Sequence, residues 1–196
     1  MENKNILLVG VGGQGIITAS DIICLAAQNA GLDTKKSEVH GMSQRGGVVT
    51  SHVRYGRKVY SPLIESGQAD VILAFEAAEA LRFYHELKPE GTLFAIPYKL
   101  IPPSVSKKQK YPEDPLGEVK KRVKNTFIID ATEIAMKLGN IRLANSVILG
   151  MLSEYSGIAD KHWEYAIEKR APQKTVPANL QAFYQGKTAA RTAKVN

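Results

Sequence analysis

A glycine-rich stretch near the amino end has the residue types and spacing of a ligand-binding turn. The sequence GVGGQG, residues 10–15, satisfies the GxGxxG pattern directly after the apolar run NILLVGV and at the start of a helical run. Glycines let the backbone turn tightly and approach a ligand closely, and the free amides at a helix start attract negative charge. The stretch predicts a turn that binds an anion such as a dinucleotide pyrophosphate. Close packing of the strand on the helix is the alternative interpretation.

A second glycine-rich stretch, HGMSQRGG at residues 40–47, stands between two strand-like runs. Its three glycines permit backbone conformations that other residues avoid, so that consecutive amides can converge on an anion with Arg45 beside them. The His, Ser and Gln side chains add donors and acceptors at the same rim. A simple turn at the entry of a hairpin explains the glycine pair equally well.

The runs that flank these stretches predict an α/β protein. Apolar runs at Asn5–Val11, Asp70–Phe75 and Thr126–Asp130 are typical of strands buried on both faces. The other predicted strands are Thr34–Val39, Val49–Tyr55 and Thr92–Ile96, and the predicted helices are Gln14–Asn29, Glu76–Leu87, Ala131–Leu138, Arg142–Tyr155, Asp160–Lys169 and a short one at Pro177–Tyr184. Prolines make residues 97–124 irregular.

The order of these elements predicts a Rossmann-like open, mostly parallel sheet flanked by helices. A β-hairpin is expected after the second strand, with Val49–Tyr55 turning at Gly56 into Lys58–Ser61. Each glycine-rich stretch follows the carboxyl end of a strand. We therefore expect both stretches at one edge of the sheet, where open α/β sheets place their binding sites.

The composition excludes several classes of protein. The longest uncharged run, Ile6–Ser20, is short and broken by glycines, so no membrane span is expected and the chain is predicted to be cytoplasmic. The single cysteine, Cys24, cannot supply the four thiolates of an iron–sulfur cluster. The histidines show no metal-ligand spacing with acids or Cys24, so no metal site is predicted.

The net charge of +7 is concentrated in two segments. Residues 99–124 hold eight Lys or Arg against three acids, and residues 173–196 hold four against none. Such blocks are commonly interaction segments, here for an acidic partner. A nucleic-acid-binding or regulatory module is the alternative, although nucleic-acid binders usually carry basic residues interleaved with aromatics on folded elements.

An autonomous NAD(P)-binding enzyme is a further alternative. Glu38 lies 23 positions after Gly15, close to the usual place of the acid that binds the ribose of a dinucleotide. Against it, the chain has no evident second domain to hold a substrate, and the second predicted strand runs into a loop and a hairpin.

Four segments together resemble the gamma-type subunits of 2-oxoacid:ferredoxin oxidoreductases, in particular those acting on indolepyruvate. They are GVGGQGIITAS from Gly10, HGMSQRGGVVTSHVR from His40, SPLIESGQADVILAFEAAEALR from Ser61 and NSVILGML from Asn145. The similarity runs from Asn5 to about Ala171. It implies one gamma-type domain over residues 1–171, followed by a basic carboxyl-terminal tail at 172–196.

The resemblance implies a subunit that is inactive alone, within a complex that converts a 2-oxoacid, such as indolepyruvate or another aryl pyruvate, to acyl-CoA and CO₂ while reducing ferredoxin. Thiamine diphosphate and iron–sulfur clusters belong to a large partner subunit, coenzyme A is a co-substrate, and no membrane or nucleic acid takes part. No bond-making residue is assigned. The residues implied to face the partner and the approach of substrate and coenzyme A are Gly12, Gly13, Gln14, Gly15, His40, Met42, Ser43, Gln44, Arg45 and Gly46.

Overall fold

The computed structural model describes residues 2–40, 47–100 and 111–195, which alternate between strands and helices. The strands are β1 (Lys4–Val11), β2 (Asp33–His40), β3 (Val48–Gly56), β4 (Ala69–Ala74), β5 (Leu87–Ala95) and β6 (Thr126–Ile128). The helices are α1 (Ile16–Asn29), α2 (Ala77–Phe83), α3 (Pro115–Arg122), α4 (Ala131–Lys137), α5 (Ala144–Ser156), α6 (Asp160–Arg170) and α7 (Val176–Val195). Short 3₁₀ turns occupy Tyr84–Glu86, Ile141–Leu143 and Gln173–Thr175.

The strands form one open sheet in the order β2-β3-β1-β4-β5-β6. Strands β1, β4, β5 and β6 pair in parallel, whereas β3 pairs antiparallel with both β1 and β2. All strands except β3 therefore point the same way. The prediction of an α/β, mostly parallel sheet flanked by helices is confirmed.

The hairpin has a different partner from the one the sequence suggested. Strand β3 pairs with β2, from His40 opposite Val49 to Asp33 opposite Gly56, and residues 58–61 form no strand. The expectation that Lys58–Ser61 returns as the second arm was wrong. Polar side chains of the sheet, instead of a second ladder, hold the backbone of that segment.

Helices cover both faces of the sheet because its central strands are apolar on both sides. In β1, Ile6 and Leu8 belong to a core shared with α1, α4, α5, α6 and α7. Their neighbours Leu7 and Val9 belong to a smaller core on the opposite face, shared with α2 and α3. This alternation follows from the period of two along a strand.

The carboxyl-terminal third contains more helix than the sequence predicted. Helix α7 runs to Val195, whereas the sequence suggested a short helix at 177–184 and then a polar tail. Phe183 is fully buried 6.0 Å from the Trp163 ring, measured between centroids, and Ala190 is also buried. Because the segment contains several basic residues, the row of apolar side chains that packs into the main core was missed in the sequence.

Helices α5 and α7 cross in close contact at two glycines. A Cβ on Gly150 would lie 1.9 Å from the Phe183 carbonyl oxygen, and one on Gly186 would lie 1.9 Å from the Val147 carbonyl oxygen. The two backbones touch directly, as small residues permit. Lys187, next to the crossing and only 7% exposed, is ion-paired with Glu154 and Asp160.

The end of helix α2 and the presence of helix α3 also differ from the prediction. Helix α2 ends at Phe83 and not Leu87, because Leu87 already pairs with Ala69 as the start of β5. Helix α3 lies in the stretch predicted to be irregular. Asp114 caps its amino end by accepting a hydrogen bond from the Gly117 N–H, and Pro115 takes its first position, where a missing N–H costs nothing.

Candidate functional site

The glycine turn at residues 10–15 meets Gly47, the last residue of the second glycine-rich stretch, at the carboxyl edge of the sheet. Val11, the last residue of β1, pairs with Val48, the first of β3. The Gly12 N–H donates a hydrogen bond of 2.9 Å to the Gly47 carbonyl oxygen. The expectation that the two stretches share one edge is confirmed for the residues that flank the second one.

Only the ends of that second stretch can be placed. His40 is the last residue of β2, but its side chain and residues 41–46 lie outside the described part of the chain. The roles of His40, Met42, Ser43, Gln44, Arg45 and Gly46 therefore remain predictions.

The side chain of Gln14 is used within the fold. Its Oε1 accepts a hydrogen bond of 2.7 Å from the Val11 N–H, and its Nε2 donates one of 2.7 Å to the Phe75 carbonyl oxygen. Gln14 thus joins the end of β1 to the residue after β4. A carbonyl acceptor and an N–H donor are both needed, which explains an amide at this position.

Gly15 brings the starts of α1 and α5 together. It caps α1 with a left-handed backbone at φ 75°, and a Cβ there would stand 2.2 Å from the Asn145 amide nitrogen. That nitrogen donates a hydrogen bond of 3.2 Å to the Gly15 carbonyl oxygen. Asn145 belongs to a segment that carried the resemblance, yet no role was predicted for it, since only the fold shows that it reaches the turn.

The amino end of α1 has the electrostatic character of an anion site. No side chain caps it and its first turn holds no acid. By contrast, the carboxylates of Glu76, Asp114 and Asp130 cap α2, α3 and α4. The partial positive charge at the start of α1, like that of α5, is therefore not offset by a capping side chain, and Gly12 and Gly13 add no side chain there.

A buried carboxylate, missed in the sequence, stands beside this turn. Glu76 is 1% exposed, and its Oε1 accepts hydrogen bonds from the Leu100 N–H at 3.2 Å and from the Tyr111 hydroxyl at 2.5 Å. Its Oε2 accepts one from the Glu79 N–H at 2.9 Å. Glu76 thus fixes the two chain segments on either side of residues 101–110. The position of Glu76 just after a buried strand was the sequence feature that could have marked it as a residue near the site.

The dinucleotide interpretation fails on strand order. Strand β3 separates β2 from β1, which puts Glu38 two strand spacings, about 10 Å, away from the strand that enters the glycine turn. The Glu38 carboxylate is also ion-paired with Lys36 at 2.5 Å. An acid so placed does not meet a ribose bound over β1.

The described residues bring together no set of ligands for a metal ion or an iron–sulfur cluster. No group of three or more His, Cys, Asp or Glu side chains that could hold a metal comes together in the described ranges. Cys24 is the only cysteine of the sequence, and burial raises the pKa of its thiol to about 12. None of the helices that the structure describes has the length and apolarity to cross a membrane.

Comparison with known proteins decides the family. The model of the family described as pyruvate ferredoxin/flavodoxin oxidoreductase matches residues 5–189. The chain belongs to this family. The match extends through most of α7, beyond the segment over which the sequence motifs were recognised.

Relatives with near-complete coverage support the assignment. The indolepyruvate oxidoreductase subunit IorB of Thermococcus kodakarensis is 41% identical, over 97% of this chain and 98% of its own. IorB of Archaeoglobus fulgidus is 44% identical, over 93% of this chain and 92% of its own. The gamma subunit of a keto/oxoacid ferredoxin oxidoreductase from Geobacter sulfurreducens superposes with a TM-score of 0.73 at 25% identity, covering 97% of this chain and 99% of that one.

The pyruvate ferredoxin/flavodoxin oxidoreductase family thus contains this chain as a gamma-type oxidoreductase subunit, and the resemblance predicted from the sequence is confirmed. The NAD(P)-dependent enzyme and the nucleic-acid-binding module are not favoured.

Proposed function

We propose that this chain is the subunit without redox cofactors of a heteromeric 2-oxoacid:ferredoxin oxidoreductase that acts on indolepyruvate or related aryl pyruvates. The complex converts the 2-oxoacid and coenzyme A to acyl-CoA and CO₂, and the two electrons released reduce ferredoxin. The observation that carries the proposal is the 36–44% identity to four IorB subunits over nearly the whole chain.

The cofactors are assigned to a larger partner subunit. Thiamine diphosphate and iron–sulfur clusters supply the decarboxylation and electron-transfer chemistry there. The lone cysteine and the absence of a cluster of ligands in the described ranges support this division for the clusters. We place the complex in the cytoplasm.

The chain contributes one wall of the substrate and coenzyme A approach. The glycine turn and the stretch that ends at Gly47 share the carboxyl edge of the sheet, and the uncapped start of α1 suits a carboxylate or phosphate. Arg45 adds a positive charge in this proposal. Gln14 acts indirectly, because its side chain holds the turn in shape instead of pointing donors at a ligand.

Reconstitution tests the proposal. The purified chain alone should show no indolepyruvate-dependent reduction of ferredoxin or a dye, whereas the chain co-expressed with the large subunit from the same cell should form a stable complex that requires coenzyme A and produces CO₂. An isolated chain that works at the rate of the complex would overturn the subunit assignment. A complex that turns over 2-oxoglutarate or pyruvate but no aryl pyruvate would overturn the substrate class alone.

A further inference from the structure

The segment 57–68, here called the connector, joins β3 to β4 at the amino edge of the sheet. Tyr55 lies opposite Lys4 at the start of β1, and β4 begins at Ala69. The connector therefore lies at the edge opposite the glycine turn. It contains the motif SPLIESGQ, for which the proposed substrate wall gives no use.

Side chains from strands β2 and β3 hold the backbone of the connector at several points. The Arg54 guanidinium donates to the carbonyl oxygens of Ser61 and Leu63, at 3.0 Å each. The Val59 N–H donates to the Asp33 carboxylate at 3.0 Å, and the Ile64 N–H donates to the His52 ring at 3.2 Å. The side chains of Val59 and Ile64 are buried beneath it. The segment has no regular secondary structure, yet its backbone is fixed along its length.

This fixed backbone presents two large apolar side chains to solvent. Tyr60 is 86% exposed and Leu63 is 54% exposed, although each lies next to a residue that is held in place. Exposed apolar surface does not stabilise the fold, yet the side chains of Arg54, Asp33 and His52 hold the backbone that displays it. A preordered tyrosine loses little conformational freedom on binding, which is why such residues are frequent anchors of protein interfaces.

The charges around the pair indicate what the partner is like. Arg57 and Lys58 are exposed and directly precede Val59, and Lys58 is ion-paired with Asp33 at 3.5 Å, while Glu65 is the one exposed acid of the connector. The connector itself therefore carries two exposed basic side chains against one exposed acidic side chain. Two copies meeting at this surface would bring like charges together, whereas an apolar pocket with an acidic rim would complement it.

We infer that the connector is a docking surface in which Tyr60 and Leu63 enter an apolar, acid-rimmed pocket on the large partner subunit. The inference rests on the proposed function for the identity of that partner. It adds a second contact to the complex, at the edge of the sheet away from the substrate wall. The connector then anchors the chain, and the glycine turn is free to serve the reaction.

The test measures binding between the full-length chain and the purified large subunit. Tyr60→Ala should weaken the Kd by about 30-fold, as expected for an interface anchor, and Leu63→Ala should weaken it as well. Tyr165→Ala is the matched control, since Tyr165 on α6 is also an exposed aromatic and should leave the Kd unchanged. Because Tyr60 is so exposed, its variant should retain the melting temperature of the original chain. A photo-cross-linking amino acid at position 60 should couple to the large subunit.

The outcomes separate the two proposals. If the unsubstituted chain binds the large subunit but Tyr60→Ala binds equally well and position 60 forms no cross-link, the docking surface is overturned while the proposed function stands. If the unsubstituted chain does not bind the large subunit at all, the proposed function fails and the docking surface fails with it. Cross-linking of position 60 to a second copy of the chain would show a homomeric contact and would also overturn the inference.

Discussion

At the scale of single residues, Gln14 shows how a binding motif can be built from internal contacts. The glycine pattern predicted a turn, and the turn is present. The Gln14 amide nitrogen donates a hydrogen bond to the Phe75 carbonyl oxygen, 61 residues away. No local sequence pattern could therefore have revealed that this side chain makes internal contacts. The same holds for Asn145 and Gly15, which meet across 130 residues.

Replacing Gln14 should destabilise the isolated chain. Gln14→Ala leaves the Val11 N–H and the Phe75 carbonyl oxygen without a partner, and we expect the free energy of unfolding to fall by about 1–3 kcal/mol. Urea denaturation of the purified chain measures this directly. Gln28→Ala, on the exposed face of α1, is the control and should change little. Unaltered stability in Gln14→Ala would show that these two hydrogen bonds do not stabilise the turn.

His52 gives the fold a defined pH dependence. Burial lowers the pKa of its ring, against a smaller opposing effect of the Glu86 charge. The ring nitrogen must be unprotonated to accept the Ile64 N–H. The unfolded chain therefore takes up this proton at a higher pH than the folded chain, and stability should fall as the pH drops below about 6.5.

Comparison with His52→Gln isolates that contribution. The variant should lose less stability than the original chain between pH 7 and pH 5, as measured by urea midpoints at several pH values. Parallel curves for the two proteins would mean that this ring does not govern the transition.

At the scale of elements, the buried strands were the most predictable and the helix ends the least. Runs such as NILLVGV and DVILAF are apolar on both faces, a pattern that few other structures produce. Helix α3 was missed because five prolines dominate its surroundings, although Asp114-Pro115 is itself a good start for a helix. Helix α7 was shortened because its apolar positions are small alanines among basic residues, and their burial depends on α5.

The crossing of α5 and α7 should tolerate no side chain at its centre. Gly186→Ala places a methyl group against the Val147 carbonyl oxygen, and we expect a loss of about 1–3 kcal/mol even though alanine favours a helix. Gln185→Ala, one residue earlier and exposed, is the control and should be neutral or slightly stabilising. Thermal and urea denaturation of both variants decide the matter. Equal stability of the two would show that the helices can separate at no cost.

At the scale of the whole molecule, one antiparallel strand determines which function the glycine turn can have. The local sequence of β1 and α1 is compatible with dinucleotide binding, and Glu38 has a suitable spacing. Insertion of β3 between β1 and β2 removes that acid from the turn and brings Gly47, which directly precedes β3, beside it. The sequence predicted a hairpin at Val49–Tyr55 but assigned it the wrong second arm, because strand order depends on long-range pairing.

The positive charge of the chain should speed its assembly with the large subunit. Folding neutralises part of the carboxyl-terminal charge through the pairs of Lys187 and Arg191 with Glu154. Arg57 and Lys58 remain exposed, although Lys58 pairs with Asp33 at 3.5 Å. If the partner surface is acidic, the association rate should fall on the order of tenfold between 50 and 500 mM salt, since screening shortens the reach of the attraction. Stopped-flow mixing of the two subunits measures this rate.

A double variant, Arg57→Gln with Lys58→Gln, links that salt dependence to the connector. It should associate more slowly at low salt and show a shallower decline, because two of the attracting charges are gone, while its dissociation rate changes little. Tyr60→Ala should do the opposite, raising the dissociation rate and leaving the salt dependence of association intact. If the association rate of the unsubstituted chain does not depend on salt, the partner surface is not acidic. That conclusion would hold whatever Tyr60→Ala does to the dissociation rate.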